Sequence, residues 1–166
     1  IHKGRRITAP KNIPSRPTTD MAKEALFNML NNDYYIEDLA VLDLYSGTGN
    51  IAYEFASRGA KQVVSVEQNA ICTRFIQETK ENLDFDQLSV QKMDVIRFLE
   101  RNEMKFDVIY ADPPYDYDQY KEVIDLIFEK EMLLENGVLI LEHNDKNKFQ
   151  EHPRFTRHRR YGSVNI

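Results

Sequence analysis

The sequence predicts an α/β fold, a mostly parallel sheet with helices on both faces. Short apolar runs alternate with stretches of helical periodicity along the whole chain. The runs are continuously hydrophobic, as strands buried on both sides must be. No internal repeat, low-complexity tract or linker interrupts the 166 residues, so one domain accounts for them.

Residues 19–31 read as the first helix, with Ala22, Ala25, Leu26, Met29 and Leu30 on one face. Thr18, Thr19 and Asp20 follow Pro17 and offer N-cap oxygens. The apolar run 39–45 is strand one. Residues 46–50 form a glycine turn, and 51–58 a helix closed by Gly59. Strand two is 62–67 (QVVSVE). The next helix places Cys72, Phe75, Ile76, Thr79 and Leu83 inward. Strand three is 88–93, followed by a short helix at 95–99. Strand four is 106–111 (FDVIYA), and helix 117–129 turns Tyr120, Val123, Ile124, Ile127 and Phe128 to the core. Strand five is 137–142 (GVLILE). The tail reads as a hairpin across Tyr161, Gly162 and Ser163, with a last strand starting at Val164.

A chain of this length buries a real core without staples. Its single cysteine, Cys72, excludes a disulfide framework, reads as a core residue and fits a reducing, cytoplasmic setting. No apolar run reaches the roughly 18 residues of a membrane helix. His2, His143, His152 and His158 show no metal-ligand spacing. The chain begins at Ile1 rather than Met, and a segment upstream of it is expected.

The net charge of -5 argues against a nucleic-acid partner only as a total. Residues 1–16 carry +5 from Lys3, Arg5, Arg6, Lys11 and Arg16, residues 150–166 carry +3, and the middle carries -13. Basic ends on an acidic body suit a polyanion contact, although solvated chain ends would look the same.

In an open parallel sheet, ligands sit beyond the carboxyl ends of the strands. Strand one ends in Asp43-Leu-Tyr-Ser-Gly47-Thr-Gly49, whose glycines let a ligand approach the backbone. Strand two ends in Glu67, placed to accept hydrogen bonds from ribose hydroxyls. Strand three ends in Asp94, able to accept from an exocyclic amine such as adenine's. Together these residues describe an adenosine site. The turn also satisfies a dinucleotide pattern with Ala52 as third member, and it could be a tight turn and nothing more.

Strand four ends in Asp112-Pro113-Pro114-Tyr115, the most specific feature of the chain. Proline fixes φ, lacks an N–H, and pushes the residue before it to extended geometry. The Asp112 carboxylate and the Pro113 carbonyl then form a rigid acceptor pair, suited to an NH2 group with two donors. Tyr115 adds a face on which a base can stack. A nucleobase amine is a poor nucleophile because its lone pair is delocalised into the ring. Two acceptors on its N–H groups favour a pyramidal nitrogen that can attack an in-line methyl group, without prior deprotonation. The base must leave its stack or already be unpaired.

These motifs, in this order, resemble those of class I S-adenosylmethionine-dependent amino-methyltransferases. Gly4-Arg-Arg, Arg16-Pro-Thr-Thr-Asp20, Lys23-Glu-Ala-Leu-Phe27 and Ala56-Ser-Arg-Gly-Ala60 narrow the resemblance to the RsmD-type small-subunit (16S) rRNA (guanine-N2)-methyltransferases. The resemblance spans the chain, and departs from the family mainly at its two ends. It implies a Rossmann-like, three-layer α/β/α fold with a seven-stranded sheet whose last strand is antiparallel. It implies a basic arm over residues 1–18 and one catalytic domain over 19–166. Asp43, Tyr45, Gly47, Gly49, Glu67 and Asp94 would bind S-adenosylmethionine, with no metal. Asp112, Pro113, Pro114 and Tyr115 would receive the guanine amine. Lys3, Arg5, Arg6 and Arg16 would contact RNA, with Thr18 and Thr19 near the active-site mouth. The implied partner of this expected monomer is rRNA or the small ribosomal subunit, with no membrane.

Glu142-His143 at the tip of strand five could touch substrate or be a polar strand end. Of the tyrosines 115, 117 and 120, Tyr120 fits the inward face of its helix. Asp116 and Asp118 would repel phosphate, which sends an RNA path along the N-terminal arm. A DNA adenine or cytosine amino-methyltransferase shares the Asp-Pro-Pro-Tyr motif but would need room for a recognition domain. A nucleotide-cofactor oxidoreductase leaves that motif unexplained. A silent RNA-binding subunit leaves the intact motifs without purpose.

Overall fold

A computed structural model of the chain describes residues 20–113 and 119–142, and the backbone at 160–161 and 164–165. The elements run α1 (Asp20–Asp33), a 3-10 turn (Ile36–Asp38), β1 (Ala40–Leu44), α2 (Asn50–Ser57), β2 (Gln62–Glu67) and α3 (Ala70–Asn82). There follow β3 (Leu88–Lys92), α4 (Val95–Arg101), β4 (Phe106–Ala111), α5 (Tyr120–Glu129), β5 (Leu133–Leu141), β6 (Arg160–Tyr161) and β7 (Val164–Asn165).

The strands β1 to β5 form one sheet in the order β3-β2-β1-β4-β5, with every neighbouring pair parallel. Strand residues alternate between two cores. Val41, Val63, Val108 and Ile140 face a cluster with Leu26 and Phe27 of α1, Phe55 of α2 and Ile76 of α3. Leu42, Val64 and Ile109 face a second cluster with Val95 and Leu99 of α4 and Val123 and Ile127 of α5. The predicted three-layer architecture is therefore present, with α1 to α3 on one face and α4 and α5 on the other. The expected seven-stranded sheet with an antiparallel last strand is not seen among the described residues, which form a five-stranded parallel sheet and a separate antiparallel pair, β6 with β7. Among the described residues the two are not joined.

Two segments differ from the sequence reading for local reasons. Strand five begins at Leu133, four residues before the predicted start. Phe106 pairs with Leu133 and Val108 with Val138, so β5 carries extra residues around Asn136, which is left-handed at φ 65°. Glu135-Asn136-Gly137 has the composition of a turn and is instead an irregularity inside the strand. A Cβ at Gly137 would lie 2.8 Å from the Leu134 carbonyl oxygen, so the position is closed to larger residues. Helix α5 begins at Tyr120; residues 117 and 118, where the predicted helix starts, lie outside the described residues.

The helix α1 is locked onto α2, whose N-terminus meets the glycine turn. Phe27 packs edge-on against Phe55 with centroids 4.6 Å apart. The Arg58 guanidinium lies 4.7 Å over the Phe27 ring and Nε donates to Glu54 at 2.8 Å. No helix among the described residues is long and apolar enough to cross a membrane.

Candidate active site at the carboxyl ends of the strands

Asp43 stands fourth of five residues in β1, inside the sheet rather than on its rim, and is 1% exposed. Its Oδ2 has no hydrogen-bond partner. Burial pushes the Asp43 carboxyl up to about 7, and the charge of Glu67 adds to this against the lowering by Ser46 and Ala52. A buried carboxyl oxygen without a donor is rare in a folded protein.

From Leu44 the chain leaves the sheet through a tight turn. Tyr45, Gly47 and Gly49 all take positive φ, at 58°, 57° and 89°. Tyr45 is a costly place for left-handed backbone, and such strain concentrates at functional sites. The surroundings hold the turn from several sides. Ser46 Oγ donates to the Asp43 carbonyl at 2.8 Å, and Ser65 Oγ donates to Ser46 Oγ at 2.6 Å. Glu67, at the end of β2, accepts from the Gly47 N–H at 2.9 Å and from the Asn69 N–H at 2.8 Å. One carboxylate thus braces both the turn and the start of α3, and each oxygen keeps a lone pair for a further donor. Asn69 caps α3 by accepting from the Cys72 N–H at 3.0 Å.

Gly49 is the N-cap of α2. A Cβ there would lie 2.6 Å from Cζ of the buried Tyr53 ring. Gly49→Ala is expected to destabilise the protein by about 1–3 kcal/mol, from left-handed strain plus this clash. Urea unfolding measures it, and an unchanged midpoint would contradict the geometry.

Asp94 is exposed, and its Oδ2 accepts from the Arg97 N–H at 3.2 Å, which makes it the N-cap of α4. This carboxylate therefore has a structural task that its place at a strand end did not reveal.

Asp112 follows β4, half-buried, and its N–H donates to the Leu44 carbonyl at 3.3 Å. Pro113 is buried beside it. Because Leu44 is the residue from which the glycine turn departs, the Asp112 acceptor adjoins that turn across the β1–β4 ladder. Pro114, Tyr115, Asp116 and Asp118 lie outside the described residues, as do Lys3, Arg5, Arg6, Arg16, Thr18, Thr19 and the four histidines. Glu142 is described and buried, bonded to Tyr110. Neither Tyr110 nor Ser65 stands out in the sequence. Their partners are 32 and 19 residues away, so no local pattern carries them.

Among the described residues no group of three or more His, Cys, Asp or Glu is arranged to hold a metal. The polar atoms available here suit a ligand with an amine and hydroxyls. Asp43 Oδ2, one residue inside the end of β1, has no partner, and Glu67 at the end of β2 has lone pairs to spare.

The fold matches that of the T. thermophilus 16S rRNA N2 G1207 methyltransferase, solved with AdoMet and guanosine. The TM-score is 0.73 at 22% identity, covering 92% of this chain and 43% of that one. With the strand order and the glycine turn, this places the protein in the class I methyltransferase fold. The family model described as conserved hypothetical protein 95 matches residues 1–166. YlbH of Bacillus subtilis is 34% identical over 156 residues, 90% of this chain and 82% of its own length. Ribosomal RNA small subunit methyltransferase D of Haemophilus influenzae is 31% identical over 155 residues, 89% of this chain and 77% of its own. The chain belongs to the RsmD family of rRNA methyltransferases.

Proposed function

We propose that the protein transfers a methyl group from S-adenosylmethionine to the exocyclic N2 amine of a guanine in small-subunit rRNA. The observation that carries this is the bond between the Asp112 N–H and the Leu44 carbonyl. It sets a proline-stiffened amine acceptor directly beside the strained glycine turn.

In this reading Asp43, Tyr45, Gly47, Gly49, Glu67 and Asp94 hold the cofactor. Bound there, S-adenosylmethionine supplies an electrophilic methyl group. Asp43 Oδ2 would accept from the cofactor's amine, and Glu67 would accept from ribose hydroxyls through the lone pairs that Gly47 and Asn69 leave free. The exposed Asp94 keeps Oδ2 on the α4 cap, so an adenine amine would be met by its other oxygen.

On the substrate side, the Asp112 carboxylate and the Pro113 carbonyl would accept the two N–H bonds of the guanine amine, and the motif assigns Pro114 and Tyr115, which lie outside the described residues, to the same task. Acceptors fixed where positive charge develops on nitrogen stabilise the transition state without reorganising. The new N–C bond would form as the methyl–sulfur bond breaks and the neutral thioether departs, and the proton left in excess on the nitrogen would then pass to water.

The basic arm, residues 1–18, is proposed to grip phosphate through Lys3, Arg5, Arg6 and Arg16. Neutralising Lys3, Arg5 and Arg6 together should weaken RNA binding at every sequence. It should also reduce the slope of log affinity against log salt by about 1 for each phosphate left without its cation. An unchanged slope would remove the arm from the interface.

The deciding experiment offers labelled S-adenosylmethionine with small ribosomal subunits, naked rRNA and duplex DNA. N2-methylguanine in rRNA is the expected product. Methyladenine in DNA, or no transfer to any of the three, would overturn the reading.

A further inference from the structure

We propose that Tyr110 and Glu142 form a buried clamp that fixes the Asp112 peptide for methyl transfer; this rests on the role given above to Asp112 and Pro113. Neither residue touches the reacting atoms. Both are positioning residues.

The peptide between Ala111 and Asp112 is held from both sides. Its N–H donates to the Leu44 carbonyl of β1 at 3.3 Å, and its carbonyl accepts from the Glu142 N–H at 2.9 Å. A peptide unit is planar, so a rotation that breaks one of these bonds breaks the other. It is also the last place where the ladder can hold this strand by a donor, because Pro113 and Pro114 have no N–H. The orientation of the acceptor pair therefore depends on where Glu142 sits.

The Glu142 side chain is fixed in turn. It is 1% exposed, and its Oε2 accepts from the Tyr110 hydroxyl at 2.6 Å. Tyr110 pairs with Ile140, and Ala111 with Leu141, so Glu142 stands two residues beyond Tyr110's partner and on the same face as Ile140. The bond is a diagonal tie across the ends of β4 and β5. Apolar packing alone would be served better by Phe and Leu at these two positions, because burying a carboxyl costs its desolvation. A polar tie just beneath the acceptor pair is explained by the geometry it enforces.

The test uses the full chain with Tyr110→Phe, Glu142→Ala and Glu142→Gln. Turnover, KM for rRNA, cofactor affinity and amide exchange are measured for each. Tyr110→Phe, which keeps the ring and removes the hydroxyl of the tie, should lower kcat about tenfold, since sub-ångström misplacement of a reacting group costs one to two decades. KM and cofactor affinity should stay within about twofold, as expected when only transition-state geometry is lost. Glu142→Gln keeps an acceptor oxygen and should recover most of the kcat lost in Glu142→Ala. Exchange at the Asp112 and Glu142 amides should quicken in Tyr110→Phe, while amides 63–66 of β2 stay protected. An unchanged kcat in Tyr110→Phe overturns the clamp, as does a Glu142→Gln variant no better than Glu142→Ala. If the unaltered protein transfers nothing to rRNA, the reading of function fails instead. The clamp then stands or falls on exchange at Asp112.

Discussion

Asp112→Ala is expected to lower the rate of methyl transfer by about 10²–10³-fold or more, the range lost when one preorganised polar group is removed from a transition state. Cofactor affinity should not change, because Asp112 follows β4, across the ladder from the turn and from Glu67. The size of the effect follows from the nucleophile. An aryl amine keeps its lone pair in the ring until hydrogen bonds from both N–H groups favour a pyramidal nitrogen. Alanine removes one of the two acceptors, and also the negative charge nearest to the nitrogen that becomes positive. Asp112→Asn separates these contributions. Its amide oxygen still accepts one N–H, but the charge is gone, so its rate should fall between those of Asp112→Ala and the unaltered protein. Radiolabel transfer to rRNA and isothermal titration with the cofactor measure the two sides. Unchanged turnover in Asp112→Ala would remove the assigned role. Loss of cofactor binding would move Asp112 to the other half of the site.

The backbone around this residue is legible in the sequence to an uneven degree. Strands β2 and β4 occupy the residues read from QVVSVE and FDVIYA. Both are runs rich in β-branched or aromatic residues, and no competing pattern overlaps them. Strand β5 reads short in the sequence because Asn136 and Gly137 carry turn chemistry, and only pairing with β4 keeps them in the strand. The 3-10 turn at Ile36–Asp38 leaves no sequence signal, since three residues have no periodicity to detect. At the site, the glycine turn and Glu67 can be placed from composition and spacing. The depth of each acid cannot. A carboxylate at a strand end looks the same in sequence whether it caps a helix, as Asp94 does, braces a turn, as Glu67 does, or is sealed in the sheet, as Asp43 is. Burial is decided by which strand neighbours it, and that is a long-range fact.

The sealing of Asp43 has a consequence for pH. Its carboxyl is pushed up to about 7, first by desolvation and then by Glu67, against an ordinary value of 3.8. The folded protein therefore binds a proton more firmly than the unfolded chain does. Asp43's contribution is intact below about pH 4, and stability is lost as pH rises from there through about 7. A shift of this size corresponds to something on the order of 4 kcal/mol across that window. Asp43→Asn removes the titration, so the difference in unfolding free energy between the two proteins should change with pH between 4 and 7 and be flat above. Urea melts across this range test it, and a pH-independent difference would show that Asp43 ionises normally in the fold. The same proton reports on the ligand. A cationic amine brought to Asp43 Oδ2 favours the carboxylate and lowers its pKa. Binding of S-adenosylmethionine at pH 6 should then release close to one proton, and its affinity should rise between pH 5.5 and 7.5. Titration in two buffers of different ionisation enthalpy counts that proton. Zero release, with an affinity flat in pH, would mean that the cofactor amine is held elsewhere and that Asp43 serves the turn alone.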